Sequence, residues 1–217
     1  MKKIILALDV DNVDKAKQII RETYHFIDIY KVGPILFIQC GKEIIEFING
    51  IGKKVFLDLK LYDIPMTVQR AVESAQKLDI FSLTVHSSGG KKMLQAATSV
   101  YNHPKIWAVS VLTSTRTRTT PATVIKRALL AKSCGLDGVI SSPLEIDLIK
   151  KECGKNFNVI TPGIRLNNNN HDDQIRVATP LYAINKGADF IVMGRSILNS
   201  KNYKMVLHNI YQTIQDN

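Results

Sequence analysis

Short β-branched and aliphatic runs alternate along this chain with longer stretches whose apolar positions recur every three or four residues. The short runs fall at residues 4–8, 27–32, 54–59, 80–86, 106–112, 137–140, 158–161 and 189–193, and they predict strands. The stretches between them predict helices at 13–23, 36–48, 67–78, 91–100, 122–133, 144–152, 181–186 and 203–214. Pro121 and Pro143 open two of these stretches, where a missing N–H costs nothing. Eight strands alternating with helices imply parallel strands joined by right-handed crossovers. The fold class expected is therefore α/β, as a (β/α)8 TIM barrel; 217 residues sit near the short end for that architecture. An open doubly wound sheet is the alternative, but no G-x-G-x-x-G follows the first strand, where a dinucleotide fold needs it. Without a proline- or serine-rich linker or a charge block, residues 1–217 are expected to form a single domain, with the asparagine tract 167–170 as a surface loop. At this length a second catalytic domain is not expected.

In such a barrel the chemistry belongs at the C-terminal ends of the strands. Alternation along the third strand puts Phe56, Asp58 and Lys60 on one face and Val55, Leu57 and Leu59 on the other. Helices would cover the aliphatic set, so Asp58 and Lys60 point into the mouth, and Asp63 follows just beyond: two carboxylates bracket one lysine in D-L-K-L-Y-D. Asp9 closes the first strand on the side of Ile5 and Ala7, Lys31 the second on the side of Ile27 and Ile29, and His86 the fourth on the side of Ser82 and Thr84. Buried charge is costly unless paired, so charged residues closing successive strands read as a site. The plainer alternative is a salt-bridge network without chemistry and, for His86, a structural hydrogen bond. After the seventh strand T-P-G-I-R supplies Arg165, and after the eighth I-V-M-G-R supplies Gly194 and Arg195. These two loops form the usual phosphate grip of a barrel: glycine lets backbone N–H groups approach the anion and arginine offers a two-pronged donor.

Lys plus Arg number 29 against 19 Asp plus Glu, a net charge of +10, and a polyanionic partner is the competing reading that this charge prompts. Against it, the 21 lysines are scattered, no basic run exceeds two residues, and 27 Ile and 14 Asn accompany them as a compositional bias. Nucleic-acid binding would want clustered cations among exposed aromatics, whereas Trp107, the lone tryptophan, falls inside a strand. Cys40, Cys134 and Cys153 are odd in number and lack C-x-x-C spacing, which fits neither a disulfide framework nor a zinc site and suits the cytoplasm. No apolar run reaches the ~18 residues of a membrane span, and Asp9 and Asp11 interrupt the apolar N-terminal stretch, so an export signal is not expected.

The chain resembles the orotidine 5′-phosphate decarboxylase family. The matching motifs run from L-A-L-D ending at Asp9, through Y-K-V-G around Lys31 and F-L-D-L-K-L-Y-D-I-P-M-T at 56–67, to L-T-S at 112–114. They continue with P-G-I-R at 162–165, D-D-Q-I-R-V-A-T-P at 172–180 and G-A-D-F-I-V-M-G-R at 187–195. The resemblance implies decarboxylation of orotidine 5′-phosphate to UMP with neither metal nor organic cofactor. It implies Lys60 as the proton donor to C6 and Asp58 as the carboxylate set against the departing carboxylate. Asp63, Ile64 and Thr67 match positions that reach into the partner's site of a homodimer, and Asp9 and Lys31 match residues that hold the ribose and join the charged network. Thr113 resembles the contact from the loop over the pyrimidine; Arg165, Gln174, Gly194 and Arg195 resemble the phosphate end. Met66 stands where the family usually has Asn, Ser196 replaces a frequent proline, and Arg116 and Arg118 make the loop 113–120 unusually basic. The nearest alternative is a magnesium-dependent phosphosugar lyase or decarboxylase on the same scaffold; such enzymes share D-x-K-x-x-D but lack the extension that Ile64, Pro65 and Thr67 provide here.

Overall fold

A computed structural model of the chain, described here for residues 3–112, 120–166 and 177–215, carries eight parallel strands in one closed barrel. The strands are β1 (Ile4–Ala7), β2 (Ile29–Val32), β3 (Lys54–Leu61), β4 (Ser82–His86), β5 (Lys105–Val109), β6 (Gly138–Ile140), β7 (Asn158–Thr161) and β8 (Phe190–Met193). They pair in chain order, and β8 closes on β1 through Ile5 opposite Val192. Around them lie α1 (Val13–Thr23), α2 (Pro34–Cys40), α3 (Glu43–Gly50), α4 (Pro65–Gln76), α5 (Gly90–Thr98), α6 (Pro121–Ser133), α7 (Ile146–Cys153), α8 (Pro180–Asn185), α9 (Arg195–Leu198) and α10 (Tyr203–Gln215).

Local chemistry sets the helix starts. The side chains of Asn12, Thr120 and Thr179 accept hydrogen bonds from the backbone N–H groups of Lys15, Thr123 and Tyr182, and a proline follows the latter two caps. The single helix expected over 36–48 is two, α2 and α3. Gly41 takes φ +53 and donates its N–H back to Phe37 O at 2.7 Å, ending the first, because glycine enters the left-handed region without a Cβ clash.

Two cores follow from strand alternation. Ile4, Leu6, Leu8, Val55 and Leu57 point outward into the layer between sheet and helices. Ile5, Ile29, Phe56, Trp107, Ile160 and Phe190 point inward and fill the barrel. Ile27, expected on the inner face with Ile29, belongs to the outer layer, because it precedes β2 and is not in its alternation. Trp107 is fully buried, edge-on to Phe56 at 4.8 Å and to Phe81 at 5.9 Å, and tilted against Phe190 at 5.7 Å. An aromatic ring of this size buries roughly 200 Å², about 5 kcal/mol of gross hydrophobic stabilisation. The plug closes the barrel interior below the strand ends, so the mouth is a cup with an apolar floor.

Candidate active site

Strand register builds the charged group. Ala7 lies opposite Lys31 in the β1–β2 ladder, and Lys31 lies opposite Phe56 in the β2–β3 ladder. Asp9 and Asp58, each two residues further on, therefore rise on either side of the Lys31 side chain. The Lys31 ammonium donates to Asp9 Oδ1 at 2.7 Å and stands 3.7 Å from Asp58 Oδ2; Lys60 Nζ donates to the same Oδ2 at 2.8 Å. Charges alternate along this row, Asp9–Lys31–Asp58–Lys60, so each buried charge has an opposite neighbour and the desolvation penalty is offset. The two inner side chains, Lys31 and Asp58, are only 11% and 12% exposed, while Lys60 at 36% faces the cavity.

Backbone geometry aims Lys60. In the β3–β4 ladder Leu57 is opposite Leu83, but Leu61 is opposite Val85, so four steps on β3 answer two on β4. Lys60 sits in this slip with φ +51, a left-handed conformation that costs a non-glycine residue roughly 1–2 kcal/mol. Gly33 leaves the space that the charged row needs. A Cβ there would stand 3.2 Å from Lys31 Nζ and 3.5 Å from Asp9 Oδ1.

The row forms one wall of a cavity of about 230 Å³. Val109, Val111, Leu112 and Ile140 supply an apolar wall, and Phe56 lies at its floor. At the other end Pro162, Gly163 and buried Arg165 from the β7 loop meet Gly194, Arg195 and Ser196 from the β8 loop. These loops are pinned. Arg165 N–H donates to Ala178 O at 2.9 Å, and the Ser196 hydroxyl donates to Ile164 O at 3.1 Å, tying one loop to the other. At Gly194 an added Cβ would lie 3.3 Å from that of Ala7, so the chain passes close over β1. The cavity thus offers a cationic, glycine-bearing end, an apolar middle and an ion-paired wall, as a phosphorylated, partly aromatic molecule would require.

Asp9, Lys31, Asp58, Lys60, Arg165, Gly194 and Arg195 come together as the sequence predicts. Asp63 does not bracket Lys60. Its carboxylate turns back to accept the Ile64 N–H at 2.6 Å and lies exposed outside the cavity; the second carboxylate of the row is Asp9. Ile64 and Thr67 are exposed as well. Thr113, Gln174, Arg116 and Arg118 lie outside the described residues. His86 does not line the cavity: its Nδ1 accepts the Ser88 N–H at 3.3 Å. Burial, and then the positive charges of Arg127 and Lys60, hold its pKa below the usual 6.5. The Ser196 tie spans 32 residues and leaves no local signal in the sequence, whereas Gly33 closes the Y-K-V-G motif beside Lys31.

Among the described residues, no three or more His, Cys, Asp or Glu side chains gather as metal ligands, and Cys40, Cys134 and Cys153 are unbridged. No helix among those residues is long and apolar enough to cross a membrane.

Residues 2–210 match the sequence model of the orotidine 5′-phosphate decarboxylase / HUMPS family. A protein of Legionella pneumophila named orotidine 5′-phosphate decarboxylase is 44% identical, covering 94% of this chain and 96% of its own length. One of the same name from Wolbachia pipientis is 42% identical over the full length of both. The crystal structure of orotidine 5′-phosphate decarboxylase from Lactobacillus acidophilus superposes with a TM-score of 0.83 at 33% identity, covering 99% of each chain. With the motif residues gathered at one barrel mouth and likeness along nearly its whole length, the chain belongs to the orotidine 5′-phosphate decarboxylase / HUMPS family.

Proposed function

We propose how this barrel mouth performs the decarboxylation of orotidine 5′-phosphate to UMP, the last step of de novo UMP synthesis. The relatives named above carry the assignment of that activity, and none of them supports the metal-dependent phosphosugar alternative. The observation that carries the residue roles is the row Asp9–Lys31–Asp58–Lys60 on one wall of a cavity whose far end holds Gly194 and Arg195.

In this reading the C6–carboxylate bond breaks, CO2 departs, and the electron pair stays on C6. The Lys60 ammonium stabilises that charge and then gives it a proton, forming the C6–H bond of UMP; the neutral amine regains its proton from solvent. Asp58 faces the departing carboxylate and holds the Lys60 ammonium in place, while Lys31 steadies Asp58 from the other side. Asp9 and Lys31 hold the ribose, Thr113 meets the pyrimidine, and Arg165, Gln174, Gly194 and Arg195 take the phosphate. One ammonium ~4 Å from the developing charge is worth roughly 4 kcal/mol at an effective dielectric near 20. Slow reactions need about 8–23 kcal/mol or more from their enzymes. The balance is drawn from phosphate binding, used to close the site over the pyrimidine.

Asp63, Ile64 and Thr67 reach the site of a second copy, making the enzyme a homodimer. Tyr62, Ile64 and Met66 are 64%, 67% and 55% exposed, an apolar stretch next to the mouth that a second copy would cover. We place the dimer in the cytoplasm, in keeping with three unbridged cysteines. The test is the ultraviolet absorbance change of orotidine 5′-phosphate with purified protein in excess EDTA. Full activity is expected, and loss to the chelator would return the metal-dependent reading. Sedimentation of the wild type against Ile64→Asp tests the dimer: the wild type should sediment as two chains and the variant as one.

A further inference from the structure

We infer that Thr84 is a positioning residue for the decarboxylation: its buried hydroxyl holds the backbone of Lys60 and the carboxylate of Asp58 together. The inference rests on the roles of Lys60 and Asp58 given above. Thr84 sits in the middle of β4, fully buried, with its side chain inside the barrel. Its Oγ1 accepts the Lys60 N–H at 2.9 Å and donates to Asp58 Oδ1 at 2.9 Å. The direction of each bond is settled by chemistry. An amide N–H can only donate, so the hydroxyl accepts there, and its one proton is left for the carboxylate.

The position of Thr84 explains why a hydroxyl is needed. It lies between Leu83 and Val85, the two β4 residues that face Leu57 and Leu61 across the slip. The regular ladder has one β4 residue for each β3 residue, and within the slip that count fails. The Lys60 N–H, turned by its left-handed φ, takes a side-chain oxygen instead of a strand carbonyl. An N–H partly shielded from water is costly to leave unpaired, so this bond keeps the irregular backbone in place. The same hydroxyl occupies Oδ1 of Asp58 while the lysines share Oδ2. With both oxygens engaged the carboxylate cannot rotate, and the Lys60 ammonium is referred to a fixed point at both its backbone and its tip. A small misplacement of a reacting group is enough to cost orders of magnitude in rate.

Thr84→Val keeps the branched shape and removes only the hydroxyl. It should lower kcat by about 10- to 100-fold, the range for losing a hydrogen bond to a charged group. Affinity for UMP, read by calorimetry, should stay within about threefold, because the phosphate end lies elsewhere in the cavity. Thr84→Ser, which restores the hydroxyl without the methyl, should recover kcat to within about threefold of wild type. A role confined to packing predicts the reverse order, valine near wild type and serine impaired, and that result overturns the proposal. So does a loss of kcat in the valine variant matched by an equal loss of UMP affinity. Circular dichroism melts accompany each variant; should the valine protein fail to fold, Thr84→Ala is read by the same criteria. Lys60→Ala, run in parallel, separates the two layers. An active Lys60→Ala enzyme removes the proton-donor reading itself. An inactive one beside a fully active Thr84→Val enzyme removes only the role of Thr84.

Discussion

Replacing Lys60 by alanine separates the chemistry of the site from its architecture. Asp58 loses its partner at 2.8 Å but keeps Lys31 at 3.7 Å and the hydroxyl of Thr84 at 2.9 Å. At an effective dielectric near 20 the lost attraction is about 6 kcal/mol gross and the remaining ion pair about 4 kcal/mol. The carboxylate therefore stays compensated and the barrel should fold, with a melting temperature only a few degrees from wild type. Turnover should suffer far more. An ammonium ~4 Å from the developing charge contributes roughly 4 kcal/mol, about a thousandfold, and a positioned proton donor typically adds 10²–10⁴. Together these imply a fall in kcat of about 10⁵-fold or more. The assay follows orotidine 5′-phosphate absorbance at saturating substrate, while calorimetric titration with UMP reports binding. UMP affinity should remain within about tenfold, since the cationic end of the cavity is untouched. A folded variant that keeps more than about 1% of wild-type kcat removes Lys60 from its role; a parallel collapse of UMP binding makes it a binding residue instead.

Arg195→Ala should cut kcat/KM by about 100-fold or more, with substantial recovery when small guanidinium cations are added; absence of any rescue argues against the phosphate grip. Gly33→Ala would put a methyl 3.2 Å from Lys31 Nζ. It should lower kcat/KM by about tenfold with little loss of stability, because the ammonium must shift by a few tenths of an ångström within the charged row while keeping its ion pairs. The depressed pKa of His86 makes a signed prediction about stability. Its folded-state value lies below 6.5, so on acidification the unfolded chain takes up the proton first. Stability from this residue is complete above 6.5, declines as the pH falls through 6.5 toward the folded value, and levels off below it. Urea unfolding between pH 7.5 and pH 5 should show a smaller decline for His86→Gln than for wild type; identical slopes would mean that burial and the charges of Arg127 and Lys60 do not act on this ring.

Much of the barrel was legible because its signals are local. Strand alternation put Asp58 and Lys60 on one face and Leu57 and Leu59 on the other, and burial against the helices bears this out. The break at Gly41 was not legible, since the apolar pattern of α2 continues into α3 and only the backbone conformation shows the stop. Asp63 was misplaced within the chain for a similar reason: proximity in sequence suggested a bracket around Lys60 that the turn after β3 undoes.

Determined by sequence alone were the repeating strand–helix unit, the parallel barrel it implies, and the residue types gathered at the strand ends, because these depend on periodicity and on the cost of unpaired charge. Only the tertiary structure decided which charges meet. Asp9 and Lys31 stand 22 residues apart and join through the register of β1 and β2; Thr84 meets Asp58 and Lys60 only because β3 slips against β4. Register is set by how two strands pack between the aromatic plug and the helices. That energy is spread over many side chains distant in sequence, and no short motif records it.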